Sequence, residues 1–112
     1  METTKLGLLR QAMGAYALRS RTLANNVANL ATPGYERLGV AFEEALQQAR
    51  RSPEGIEDPS RFAPRVRAEG RPPLLEDEMM ELADTQMRTQ LATRALSEHF
   101  ALMRTGITGR PE

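Results

Sequence analysis

An all-α fold, with long N- and C-terminal helices packed as a coiled coil, a short middle helix and a Pro/Gly-rich flexible loop, is what three features of this 112-residue sequence predict. Leu6, Leu9, Met13, Tyr16, Ser20, Leu23, Val27 and Leu30 recur in steps of three and four, the spacing of a helix seam packed along other helices. A second long run, from Glu76 to Arg104, carries apolar residues at helical spacing. Between the two lies a stretch dense in proline and glycine, which regular structure tolerates poorly.

Residues 1–35 form the first unit, with a helix expected over Lys5 to Leu30 and Thr3 or Thr4 as its N-cap hydroxyl. Gly7 and Gly14 weaken that helix by about 0.5–1 kcal/mol each relative to alanine. With Ala12, Ala15 and Ala17 they also thin its surface, so that neighbouring backbones can approach closely. Asn25, Asn26 and Asn29 cluster near the helix end, where an amide either caps exposed carbonyls or bonds across to a neighbouring helix. Thr32-Pro33-Gly34-Tyr35 then suits a type II turn: Pro33 presets φ for position i+1, and Gly34 takes the positive φ of i+2 without steric cost.

Residues 36–51 are expected to hold the middle helix, over Val40 to Ala49, with Phe42, Ala45, Leu46 and Ala49 on one stripe. Residues 52–73 contain Pro53, Pro59, Pro64, Pro72 and Pro73 with Gly55 and Gly70 among charges, which predicts the flexible loop. Residues 74–112 hold the C-terminal helix, expected to pair with the first and to end at Gly106, Gly109 and Pro111. Glu76, Asp77, Glu78 and Glu81 sit in its opening turns, where the helix dipole favours negative charge. Met80, Ala83, Met87, Leu91, Ala95 and Leu102 share one stripe; Leu75, Met79, Leu82 and Phe100 share another about half a turn away. A single intrachain hairpin needs one apolar stripe. Two imply partners on two sides, unless the middle helix covers the second.

Ala24-Asn25-Asn26-Val27-Ala28-Asn29 followed by Thr32-Pro33-Gly34-Tyr35 resembles the N-terminal signature of the bacterial flagellar rod and hook proteins. Leu75-Glu76-Asp77-Glu78-Met79-Met80-Glu81-Leu82-Ala83-Asp84-Thr85-Gln86-Met87-Arg88 resembles the C-terminal helix of a short member of that family. Apolar Leu30 departs from the polar run usual there. The resemblance implies a structural subunit of the flagellar basal body, exported without a cleaved signal peptide through the flagellum's own type III apparatus into the rod that crosses the periplasm. As partners it implies copies of the chain itself, other rod proteins, and the ring and export-gate components of the basal body. In that family the asparagine and Thr-Pro-Gly-Tyr motif lies in the helical domain lining the axial tube. The expected protein contacts are therefore Leu6, Leu9, Met13, Tyr16, Leu23, Asn25, Asn26, Val27, Asn29, Thr32, Pro33, Gly34 and Tyr35, with Met79, Met80, Leu82, Met87, Leu91, Phe100 and Leu102 from the second helix.

Composition by itself implies only a chain that depends on neighbours for its stability. With 4% aromatic residues and no tryptophan the chain has little to bury, and scaffolds this small rarely gain more than about 3–5 kcal/mol from one core. A formal net charge of zero conceals an asymmetry: Lys5, Arg10, Arg19 and Arg21 against Glu2 leave residues 1–35 at +3, and Arg88, Arg94, Arg104 and Arg110 against seven acids leave residues 74–112 at −3. Opposite signs suit helices that meet, within or between subunits, by selecting register more than strength.

No run approaches the roughly 18–20 apolar residues of a membrane span, and Arg10 and Gln11 cut the apolar run after Lys5 too short for a secretory signal. Cysteine is absent, so no disulfide or thiolate chemistry is expected. His99 is the sole histidine, and Glu98 beside it faces elsewhere on a helix. The acids of the C-terminal helix lack the loop and glycine turn of a calcium site, and no phosphate-cradling loop or activated nucleophile is present. Arg61, Arg65, Arg67 and Arg71 are offset by Glu54, Glu57, Asp58 and Glu69, which argues against nucleic acid. No enzyme, cofactor or metal is expected. The rival to a rod subunit is a soluble helical hairpin acting as a coiled-coil adaptor or chaperone.

Overall fold

A computed structural model describes residues 4–51 and 63–108. In chain order the elements are helix α1 (Thr4–Ala28), strand β1 (Leu38–Ala41), helix α2 (Glu43–Arg51), strand β2 (Arg65–Ala68) and helix α3 (Leu75–Thr108). The chain is mostly helical, with α1 and α3 packed together. They run antiparallel, since Asn26 near the end of α1 meets Glu78 near the start of α3, and Tyr16 meets Arg88 farther along. At 34 residues α3 is about 51 Å long and overhangs its 25-residue partner.

All-α is only approximate, because β1 and β2 pair antiparallel in register Leu38↔Ala68, Gly39↔Arg67, Val40↔Val66, Ala41↔Arg65. Two further backbone bonds prolong the ladder: the Arg37 N–H donates to the Arg71 carbonyl at 2.8 Å and the Glu69 N–H to the Arg37 carbonyl at 3.0 Å. Arg65-Val66-Arg67-Ala68 alternates polar and apolar with a strand's period of two, a signal outweighed at the sequence level by the prolines around it. The flexible loop expected over 52–73 is thus corrected for 63–73; its first part, with Pro53, Gly55 and Pro59, lies outside the described residues. A two-stranded ribbon is marginal alone. Here β1 is held against α1, where Val40 packs on the cluster of Ala12, Ala15 and Phe42.

The middle helix starts at Glu43, not Val40, because Val40 and Ala41 belong to β1. Phe42 bridges the two elements: its carbonyl accepts the Leu46 N–H at 3.0 Å, and its ring meets Tyr16 edge-on at 5.4 Å. Leu46 packs on the same cluster as Val40, so α2 leans on α1 and leaves Leu75, Met79 and Phe100 of α3 exposed. Gly106 does not stop α3, which continues to Thr108. Gly109, Pro111 and the proposed cap Thr3 lie outside the described residues.

The expected type II turn is present. The Tyr35 N–H donates to the Thr32 carbonyl at 3.2 Å, and Gly34 takes φ of 78°. Gly34→Ala forces a β-carbon into that left-handed conformation at a cost of about 1–2 kcal/mol. A lower thermal midpoint by circular dichroism is the expected result, with no change from the control Gly14→Ala beyond helix propensity.

Candidate functional site

The polypeptide places a full cation in its interior. Arg37 follows the turn and is 1% exposed, and Glu78 on the first turn of α3 is fully buried. The Arg37 Nε donates to both Glu78 carboxylate oxygens, at 3.2 and 3.0 Å, and Nη2 donates to Oε1 at 3.0 Å and to Glu81 Oε2 at 3.1 Å. Nη1 donates to Glu69, next to β2. Burial opposes the charge on Arg37, but the hydrogen bonds it donates to Glu78 and Glu69 outweigh it and hold its pKa above the ordinary arginine value.

Asn26 completes the arrangement. Also fully buried, its Nδ2 donates to Glu78 Oε1 at 2.5 Å and to the Leu38 carbonyl at 2.8 Å. Its Oδ1 accepts the Leu38 N–H at 2.9 Å and the Tyr35 hydroxyl at 3.1 Å. One amide therefore joins α1, the turn, β1 and α3. Gly39 makes room for the same group, since a β-carbon there would collide with the Glu69 carboxylate that pairs with Arg37.

The asparagines thus divide. Asn26 bonds across to a helix of its own chain. Asn29 caps locally, its Nδ2 donating to the Asn25 carbonyl at 2.8 Å while its Oδ1 accepts the Thr32 hydroxyl at 3.1 Å. Asn25, Thr32, Pro33 and Gly34 are exposed, Tyr35 is half-buried, and Thr32 to Tyr35 line an open cleft with Gly70 to Pro73. Arg37 and Glu78 were not among the expected contact residues; an arginine two places after the turn and a glutamate four before the half-buried Leu82 carry no pairing signal in one sequence.

The helix seam differs in chemistry from the one expected. On α1, Leu6 and Leu23 are buried and Leu9, Met13, Tyr16, Ser20 and Val27 half-buried, but the innermost positions include Ala12, Ala15, Thr22 and Asn26, and Leu30 is exposed. On α3 the inward residues are Glu78, Leu82, Thr85, Thr89, Ala92, Leu96, His99 and Met103, in steps of three and four. Among the expected contacts only Leu82 belongs to that set. Threonine can be buried there because its hydroxyl bonds the preceding turn: Thr85 donates to the Glu81 carbonyl at 2.7 Å and Thr89 to that of Thr85 at 2.8 Å.

What this displaces is apolar. Met79, Met80, Met87, Leu91, Phe100 and Leu102 are exposed, Met80 and Leu102 by 72% and 71%. The helix thus leaves these large apolar residues exposed while Glu78, Thr85, Thr89 and Ala92 share its inner face with Leu82, Leu96 and Met103. Of the charges in the end segments, Arg19 is bound by Glu43 of α2 through two 2.6 Å bonds, while Glu78 and Glu81 are taken by Arg37.

No family model matches this chain. No curated protein is significantly similar to it. Among the described residues no helix is long and apolar enough to cross a membrane.

Removing one partner of a buried ion pair costs about 3–5 kcal/mol, because the other charge is left uncompensated. Glu78→Leu and Arg37→Met are each expected to unfold the hairpin in denaturant at much lower concentration than the parent. The double variant should recover most of that loss, and additive losses in the cycle would refute direct coupling.

A second prediction concerns acid. Burial pushes the Glu43 carboxyl up, but the hydrogen bonds and charge of Arg19 outweigh this and hold it below the usual glutamate range. A carboxyl depressed in the folded state stabilises above its unfolded pKa of about 4.3, and that stabilisation is lost as pH falls through the lower folded value. Arg19→Met should flatten this acid limb of the stability curve; an unchanged limb would count against the assignment.

Proposed function

We propose that the chain is a structural subunit of the bacterial flagellar basal body, in the proximal rod, which polymerises by helix packing to join the motor base and export gate to the more distal rod and to carry torque. The observation that supports it most is the outward apolar face of α3, where Met80, Met87, Leu91 and Leu102 stand more than half exposed on a helix that packs on α1 by its other side. Large contiguous apolar surface on a small chain marks an interface. The asparagine and Thr-Pro-Gly-Tyr signature adds the resemblance, and with α1, the turn and α3 tied at Asn26, a subunit would pass load through hydrogen bonds and not through a slack joint.

Its partners in this reading are copies of itself, other rod proteins and ring or export-gate components, and its place is the rod crossing the periplasm. The same inward-turned Asn26 also suits a preformed hairpin that acts as a soluble adaptor or chaperone. The two readings part on where the protein resides in the cell.

Met80→Glu with Met87→Glu leaves the inner face of α3 untouched. The expected outcome in the chain's own cell is loss of swimming with normal protein level and normal helical content of the purified variant. The parent chain should co-purify with detergent-extracted basal bodies. Wild-type swimming by the variant, or a parent chain confined to the soluble fraction, would overturn the rod reading.

A further inference from the structure

We propose that the outer face of α3 docks onto the outer face of α1 in a second copy of the chain, a head-to-tail contact that deepens the structural reading above and rests on it for where the array is used. The faces complement each other in size. On α3 the outward residues Met80, Met87 and Leu91 are 72%, 63% and 61% exposed. On α1 the outward residues are Gly14, Ala17, Ala24 and Ala28, all exposed, with open space over Gly14. Long flexible side chains on one helix and a thin surface on another let two axes approach to the short end of the usual 8–10 Å range.

They also complement each other in charge. Helix α1 contains no acid, and Arg10 and Arg21 are exposed on this same face. The first half of α3 exposes Glu76 and Asp84 beside the methionines, while Glu78 and Glu81 are withdrawn to Arg37. Asp84 holds Arg88 at 2.8 Å on the same helix, an exposed pair weak enough to exchange for an intermolecular one. The lengths agree: about 27 Å from Arg10 to Ala28 against about 23 Å from Glu76 to Leu91.

Like faces do not fit. Two α3 faces would bring methionine against methionine with acids opposed, and two α1 faces would oppose arginines across a surface with little to bury. The two faces look out from opposite sides of the hairpin, so each copy offers both halves of the contact and the pairing can propagate.

The absence of cysteine makes the contact directly testable, because any introduced thiol is a unique reporter. Single substitutions Gly14→Cys, Ala17→Cys or Ala24→Cys in one batch are mixed with Met80→Cys, Met87→Cys or Leu91→Cys in another and oxidised. At least one α1–α3 pair should form an intermolecular disulfide about tenfold in excess of either homodisulfide, a preference of about 1.4 kcal/mol. Ala17→Leu should reduce that yield while leaving the thermal midpoint of the hairpin unchanged. Predominant α3–α3 disulfides, no intermolecular disulfide from any pair, or a chain that sediments as a monomer up to its solubility limit would each overturn the contact; the last would mean that a different protein covers α3. Cross-links of the expected kind from a chain dispensable for swimming would sustain this inference and remove the rod, whereas α3–α3 cross-links in a chain required for swimming would do the reverse.

Discussion

A guanidinium withdrawn from water must find partners on every side, and the position of Arg37 sets the rest of the architecture. Arginine does not deprotonate in a protein, so the alternative to pairing is not a neutral side chain but a different fold. Meeting the demand requires α3 to start where Glu78 and Glu81 can face the turn, and β2 to end where Glu69 reaches over Gly39. The ribbon of β1 and β2, which would not persist alone, is thereby fastened at one end by side chains and along its face by α1. Asn26 then fits because it can donate to the carboxylate while closing the first bonds of β1.

A polar anchor of this kind alters what the helices can do with their apolar residues. On the inward side of α3 small and self-satisfied residues, Thr85, Thr89 and Ala92, alternate with Leu82 and Leu96. Met80, Met87, Leu91 and Leu102 of α3 are not on that side. A buried ion pair adds little net stability over an apolar pair of the same volume, but it penalises every arrangement that leaves either charge unmatched. In this chain such a penalty would fix the register of the hairpin, and apolar area is left for association.

Much of this was visible in the residues, and what was not had physical causes. The turn could be read from Thr32 to Tyr35 because proline and glycine dictate dihedral angles locally. Both long helices followed from periodicity, which is also local. The face α3 turns inward did not follow, because the rule that large apolar residues go inside presumes that the interior belongs to one chain. Glu78, Thr85 and Thr89 lie inside for reasons set by Arg37 and by backbone carbonyls one turn earlier, neither of which hydropathy registers. Strand β2 was hidden likewise: Arg65-Val66-Arg67-Ala68 alternates as a strand should, but its partner lies more than twenty residues earlier and its flanks are proline and glycine.

Folding and association are therefore served by different residues. Variation at Met80, Met87 or Leu91 touches a surface that the hairpin does not use for its own cohesion, whereas variation at Asn26, Arg37 or Glu78 touches four elements at once. A subunit built this way can keep its shape before it meets a neighbour, so that little ordering entropy is lost on contact and the apolar face is already displayed. The cost is exposure: a chain with Met80 and Leu102 standing in water is poorly matched to solitude. The internal order of the hairpin and its need for neighbours are thus compatible, because the first is satisfied largely by polar groups facing inward and the second arises from apolar groups facing out.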